Sequence, residues 1–182
     1  MIPKYIFDED VKDAHLTKVN QSTDIMEKLD IWIKKPQNIF LFHGNVGTGK
    51  SYFCQAWYNH MYEKGIHVRC ITDEEFFSDL KKEMGEKRIP DYRVKTICES
   101  NFLIFDDFAS SRKKLEDKDW SIDMLSLVIS LRYQNKLPTM ITSNKTKSEF
   151  RSIFDPRICS RLFSSGNMII ENCGHDRRNP QF

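Results

Sequence analysis

Gly44-Asn45-Val46-Gly47-Thr48-Gly49-Lys50-Ser51 decides how this chain is read. The eight residues satisfy the spacing G-x-x-x-x-G-K-[ST]. They stand between a short apolar run, Asn38 to Phe42, and the helical pattern SYFCQAWYNHMYEK. Strand, glycine loop and helix in that order is the context in which this spacing holds phosphate. The glycines let successive backbone N–H groups turn inward around a β-phosphate, and the helix N-terminus adds a favourable dipole. Lys50 then reaches the β and γ oxygens, and the Ser51 hydroxyl is placed to ligate Mg²⁺. Gly44, Asn45, Val46, Gly47, Thr48 and Gly49 supply the rest of the expected nucleotide site.

Downstream, Phe102-Leu103-Ile104-Phe105-Asp106-Asp107 reads as a buried strand that delivers two carboxylates to the mouth of a sheet. Asp106 is placed to hold the Mg²⁺ shell, and Asp107 to orient or deprotonate an attacking water. Acids also follow strands for solubility alone, so the pair gains its meaning from the phosphate loop upstream. The interval leaves room for one strand, His67 to Thr72. A further apolar run, Thr139 to Ser143, ends at Asn144. An amide there falls between the second acid and the γ-phosphate, where it can hold the water; the same residue type also serves as a turn former.

Working outward, 182 residues and 21.6 kDa suffice for one domain with its own core, and we expect a single unit over residues 1–182. The mixture of 40% hydrophobic and 30% charged residues is that of an ordinary globular chain. No apolar stretch is long enough to cross a bilayer, and the acids of MIPKYIFDEDVKDAH replace the apolar core of a secretory signal. Membrane association and export are not expected, and a cytoplasmic location is. The net charge of +2 names no partner. Five cysteines in an odd set without C-x-x-C spacing read as reduced, buried thiols, and the histidines show no ligand spacing for zinc.

Periodicity predicts a helix over 22–35 with Ile25, Met26, Leu29, Trp32 and Ile33 on one face, stopped by Pro36. In the helix after the glycine loop, Phe53, Ala56, Trp57 and Met61 point inward, and Gly65 caps its end. Further helices are expected from Asp73 to about Lys87, after Pro90, over 119–135 and over about 156–164, with a last strand over 168–171. For 119–135 the expected inward set is Trp120, Met124, Leu127 and Leu131, with Val128 behind them. Strands alternating with helices predict an α/β sheet covered on both faces.

GNVGTGKS, FLIFDDFAS and RYQNKLPTMITSN together resemble the AAA+ ATPases of the DnaA/DnaC clade, closest to DnaC- and DnaI-type helicase loaders and IstB-like ATPases. Ile2-Pro3-Lys4-Tyr5 is similar to the segment that opens that core near the adenine, and DPRICSRLF to its arginine-bearing end. The resemblance runs from about residue 2 to 178. It implies a P-loop NTPase with an AAA+ core: a parallel five-stranded sheet flanked by helices, without a C-terminal lid domain. It implies ATP and Mg²⁺ as cofactors, Lys50 and Ser51 as Walker A, Asp106 and Asp107 as Walker B, and Asn144 as sensor 1. Arg161 becomes the arginine finger offered to a neighbouring protomer, with Arg157 as its competitor. Arg177 or Arg178 takes the sensor-2 place, and Arg178 is carried as the nucleotide-binding choice.

The implied activity is ATP hydrolysis dependent on homo-oligomer formation, in DNA replication, as a helicase loader or loader-like regulator. The implied partners are a replicative helicase or another DNA-processing protein, and single-stranded DNA. Two departures are expected from that pattern: with the core beginning near residue 2, the helicase-gripping module of loaders is not expected ahead of it, and Asp107 stands where glutamate is common. For DNA, the stretch DEEFFSDLKKEMGEKRIPDYRVK offers Lys81, Lys82, Lys87, Arg88, Arg93 and Lys95, with Phe76, Phe77 and Tyr92 as stacking candidates. Phe76, Phe77 and Leu80 at helical spacing equally read as core. Ser111-Arg112-Lys113-Lys114 is a second basic patch. The alternatives are an IstB-type ATPase regulating a transposase or other mobile-element protein, a small nucleotide kinase, and a non-hydrolysing ATP-dependent binding module.

Overall fold

Alternate side chains of five short strands divide between two cores, and that alternation builds a three-layer molecule. The computed structural model describes residues 5, 6, 9–19, 21, 23–85, 91–110 and 120–177. Two single turns, Glu9–Val11 and Leu16–Lys18, precede α1 (Thr23–Lys34), β1 (Ile39–Gly44) and α2 (Lys50–Glu63). Next come β2 (Arg69–Thr72), α3 (Asp73–Gly85), α4 (Asp91–Glu99) and β3 (Leu103–Asp106). The chain continues through α5 (Trp120–Gln134), β4 (Thr139–Ser143), α6 (Lys147–Ile153), α7 (Pro156–Leu162) and β5 (Met168–Asn172).

The strands form one parallel sheet in the order β2-β3-β4-β1-β5. Phe40, Phe42, Cys70, Ile104, Met140 and Ile170 face α1 and α2. Ile39, Leu41, Ile71, Leu103, Phe105 and Ile141 face the layer of α3 to α7. A parallel sheet buried on both sides needs near-continuous apolar strands, which is what FLF, LIF and MI supply. Because every strand runs the same way, the C-terminal ends of β1, β3 and β4 open onto one edge. Gly44, Asp106 and Ser143 therefore lie together.

Three local outcomes differ from the sequence reading. The helix over 120–134 buries Ile122, Leu125, Val128, Ile129 and Arg132, while Trp120 and Leu127 are exposed and Met124 and Leu131 pack only at the margin. Apolar residues surround that helix, so periodicity alone selects no face. α6 was not anticipated, yet Thr146-Lys147-Ser148-Glu149 is a complete capping box, with each side chain bonded to the other's backbone N–H. Cys54, Cys70, Cys98 and Cys159 are buried as expected, whereas Cys173 is exposed.

α2 is covered on its polar side as well. Gln55 donates to the Tyr5 carbonyl at 3.2 Å and to Asn59 Oδ1 at 2.9 Å. Asn59 donates to the carbonyls of Lys12 and Ala14 at 3.1 and 2.7 Å. These amides turn a face that reads as solvated into the seat of the N-terminal segment. The Tyr5 hydroxyl adds a bond to the Glu75 carboxylate on α3.

Arg132 is the deepest cation among the described residues, 1% exposed. Its Nε donates to Thr139 Oγ1 at 2.8 Å, and its terminal nitrogens donate to the carbonyls of Ile97, Ser100 and Pro138 at 2.7–2.8 Å. Burial pulls its pKa down to about 10, so it stays charged at neutral pH. The fork thus joins the end of α4, the entry to β3 and the entry to β4. Arg132→Ala strands those carbonyls, and we expect a loss of roughly 3–5 kcal/mol in urea denaturation. Arg132→Lys, with three donors on a single nitrogen, should recover only part of it.

Candidate functional site

The loop between β1 and α2 is built from left-handed backbone. Gly44, Gly47 and Gly49 have φ of 126°, 72° and 86°, a region that residues with a β-carbon enter only under strain. Gly49 sits at the N-cap of α2 without a side-chain cap. The first N–H groups of a 14-residue helix are therefore turned toward the loop. Thr48 is buried and donates from Oγ1 to the Asn45 carbonyl at 3.0 Å, closing the loop on itself, while Val46 stands exposed at its tip. Lys50, 5% exposed, folds back so that Nζ donates to the carbonyls of Gly44 and Asn45 at 3.0 and 2.5 Å.

The two acids meet this loop from β3. Asp106 is 3% exposed and hydrogen-bonded to both Ser51 and Thr142. Burial raises its pKa to about 6, against those hydrogen bonds, which pull it down. Asp107, one residue later, has left the strand with φ 52° and is half-buried. Its Oδ1 accepts from Asn144 Nδ2 at 3.0 Å, and its N–H donates to Thr142 Oγ1 at 3.0 Å. The expected pairs, Ser51 with Asp106 and Asp107 with Asn144, are thus brought together by β1, β3 and β4. A hydroxyl beside a buried carboxylate is the oxygen donor set that suits Mg²⁺, so these residues fit the expected metal.

The segment after β5 lies across the loop. Asn45 donates from its backbone N–H to the Asn172 carbonyl at 3.0 Å, and from Nδ2 to the carbonyls of Cys173 and Gly174 at 3.3 Å. Arg177 N–H donates to the Gly47 carbonyl at 2.9 Å. A β-carbon at Gly47 would fall 1.8 Å from Asp176 Oδ1, so the missing side chain is what admits this carboxylate. Gln21 joins the three parts. Its Nε2 donates to the Thr48 carbonyl at 3.0 Å, and its Oε1 accepts from Asn172 at 3.1 Å and from Arg177 at 3.4 Å. Sequence reading missed Gln21, Thr142 and Asp176, because each acts through a long-range contact. Arg177 is the arginine seen at the loop; Arg178 lies outside the described residues, as do Ile2-Pro3-Lys4 and the patch Ser111-Arg112-Lys113-Lys114.

Arg161 is half-buried on α7 and donates to the Ser130 hydroxyl of α5. Arg157, one turn earlier, is exposed. Both line a groove of about 1220 Å³ together with Lys147, Arg151 and Tyr133. The DNA-contact candidates fare unevenly. Phe76 and Phe77 are core residues, stacked edge-on against Phe105 and Trp120 at 5.6 and 5.9 Å, and are not available to bases. Lys81, Lys82 and Lys95 are exposed. Lys87 and Arg88, and the side chains of Tyr92 and Arg93, lie outside the described residues.

A phosphate loop, two adjacent acids on the third strand and an amide after the fourth, on a 2-3-4-1-5 parallel sheet, define an ATP-binding AAA+ core. Residues 2–169 match the family of the bacterial DnaA ATPase domain, and the chain belongs to that family. The chromosomal replication initiator protein DnaA of Helicobacter pylori (strain P12) is 33% identical over 85 residues, 46% of this chain and 18% of that protein. The chain thus matches only about a fifth of the length of such curated relatives. Among solved structures, the DnaC helicase loader aligns with TM-score 0.72 and 20% identity, over 90% of this chain and 98% of that one. The replication initiator DnaA bound to AMPPCP and single-stranded DNA aligns with TM-score 0.71 and 18% identity, over 87% and 49%.

Asp106 supplies a pH test. Its folded pKa of about 6 lies above the ordinary 3.8, so the folded protein binds the proton more tightly. Its contribution is therefore favourable at low pH and is lost as pH rises through about 6, reaching a cost of about 3 kcal/mol at neutrality. Asp106→Asn should raise the Tm of the nucleotide-free protein in EDTA at pH 7, by an amount worth on the order of 1–3 kcal/mol. The gain should shrink as pH falls from 6 toward 4, as followed by calorimetry.

Proposed function

We propose that this chain hydrolyses ATP and acts in DNA replication as a loader-like regulator, working as a homo-oligomer on a helicase or another DNA-processing protein and on single-stranded DNA. The observation that carries hydrolysis is the Asn144–Asp107 hydrogen bond, one residue beyond the Asp106 carboxylate that meets Ser51. An amide donor orients the Asp107 carboxylate, which can then take a proton from water. Asp106 and Ser51 would hold Mg²⁺, which when bound neutralises charge on the β and γ oxygens. Lys50 exchanges loop carbonyls for phosphate oxygens, and the N–H groups of Gly47 to Lys50 orient the chain of phosphates. Asp107, rather than the buried Asp106, is the base, because it is the acid partly open to water.

The replication assignment rests on the family and on the likeness to the initiator and to the helicase loader. Assembly is supported by the cation-lined groove at Arg157 and Arg161, which offers a guanidinium to a site on a neighbouring copy. DNA contact is supported by the exposed lysines of α3 and α4.

Specific ATPase activity should rise with protein concentration, and further with single-stranded oligonucleotide. A flat, DNA-blind profile would point to a self-contained site. Asp107→Asn should bind nucleotide and lose turnover by about two orders of magnitude or more. Arg161→Ala should behave likewise, and mixing the two variants should restore activity where the arginine acts in trans. Absence of rescue between two folded variants would count against a shared site.

A further inference from the structure

We infer that Thr142 is the positioning residue of this site: one buried hydroxyl holds both acids and assigns them their different roles. The inference deepens the ATPase reading and rests on it for the catalytic half of its test. Parallel pairing of β3 with β4 is registered from Leu103↔Thr139 to Phe105↔Ile141 and stops there. From that point Thr142 takes over the register with side chain and backbone together. Its Oγ1 donates to Asp106 Oδ1 and accepts the Asp107 N–H at 3.0 Å, and its carbonyl accepts the Phe108 N–H at 2.9 Å. Thr142 itself is fully buried.

The polarity of this bridge is forced. An ionised carboxylate has no proton to give, so the Thr142 hydroxyl donates to Asp106 and its oxygen is left to accept the Asp107 N–H, which the Asp106 carboxylate also accepts. The bridge therefore holds Asp106 inside the sheet as an acceptor. It also fixes the plane of the peptide that throws Asp107 outward, at φ 52°, toward Asn144. The turn beyond is locked from two sides. Ser143 Oγ donates to the Phe108 carbonyl at 2.7 Å, and buried Asp73 accepts the Ala109 N–H at 3.1 Å, with Ala109 also left-handed at φ 60°. A β-branched residue in a strand has little χ1 freedom, so the hydroxyl direction is set by β4 itself. Valine would keep that shape and delete both bonds.

The test compares Thr142→Val with Thr142→Ser in the full chain. In the nucleotide-free protein in EDTA, amide exchange followed by NMR should show Asp107 losing about tenfold in protection in Thr142→Val. The Phe108 amide, bonded to the carbonyl of residue 142, should keep its protection and serves as the internal control. Turnover with Mg·ATP should fall about tenfold to a hundredfold in Thr142→Val. Affinity for a fluorescent ATP analogue in EDTA should stay within about threefold, and Thr142→Ser should recover protection and most of the turnover.

Unchanged Asp107 protection in Thr142→Val overturns the inference, and so does turnover retained in it. Thr142→Ser failing to the same extent as Thr142→Val also overturns it, because that marks a packing role. A wild-type chain without turnover refutes the ATPase reading instead. The exchange experiment, together with the Mg²⁺ concentration needed for tight analogue binding, then decides on Thr142 alone. A several-fold higher Mg²⁺ requirement in Thr142→Val supports the inference, and an unchanged one overturns it.

Discussion

A carboxylate buried at the end of β3 is the most demanding group in this structure, and its surroundings are arranged to satisfy it. Desolvation disfavours the charged form of Asp106, and only specific donors oppose that. Besides the neighbouring Asp107 N–H, the donors come from two elements far apart in sequence, Thr142 in β4 and Ser51 in the first turn of α2. Both are in reach because β3 and β4 are adjacent parallel strands and α2 springs from β1, which flanks β4 on its other side. Removing the sheet order would strand the charge. The order is in turn held by Arg132, whose fork ties the entry of β3 to the entry of β4 at the opposite edge. One edge of the sheet is thus secured by a buried cation, and the other supports a buried anion.

The glycine loop presents the complementary problem, since its N–H groups and the start of α2 form a region of positive potential. The segment from Cys173 to Arg177 meets that region with the Asp176 carboxylate, and ties itself down through Asn45, Gly47 and Gln21. Lys50 meanwhile bonds loop carbonyls. Loop, segment and Gln21 are therefore one connected polar assembly, and a phosphate entering it must compete with contacts the chain already makes. Gly47 illustrates the constraint: its positive φ serves the loop, and its absent β-carbon serves the segment that crosses it.

Strands and phosphate loop were legible because their signals are local. Short apolar runs of four to six residues are readable as strands from composition, and the loop spacing is readable from its chemistry. Less legible was anything in which a polar residue is buried by a distant partner. Gln55 and Asn59 read as the wet side of α2 and instead carry the N-terminal segment. Arg132 reads as one more surface arginine, and its fork is defined by carbonyls some 30 residues upstream. α5 defeated periodicity for the opposite reason, since a helix apolar on every side carries no directional signal, and Arg132 itself marks the buried face. The stacking candidates Phe76 and Phe77 went the way their helical spacing indicated, into the core.

Asp106 and Asp107 carry this contrast to its limit, being chemically identical neighbours with opposite fates. Nothing in their side chains distinguishes them; the difference is where the strand stops. Asp106 is still paired, with Thr72 of β2, whereas Asp107 is the first residue past that pair and adopts a left-handed backbone. That conformation is uncommon for a residue with a β-carbon, and it persists because neighbouring groups over-determine it. The over-determining groups are Thr142, Ser143 and Asn144, three consecutive residues of MITSN. A motif read as a strand followed by one sensing amide is, in the folded chain, three adjacent side chains that each hold a different atom of the turn bearing the second acid.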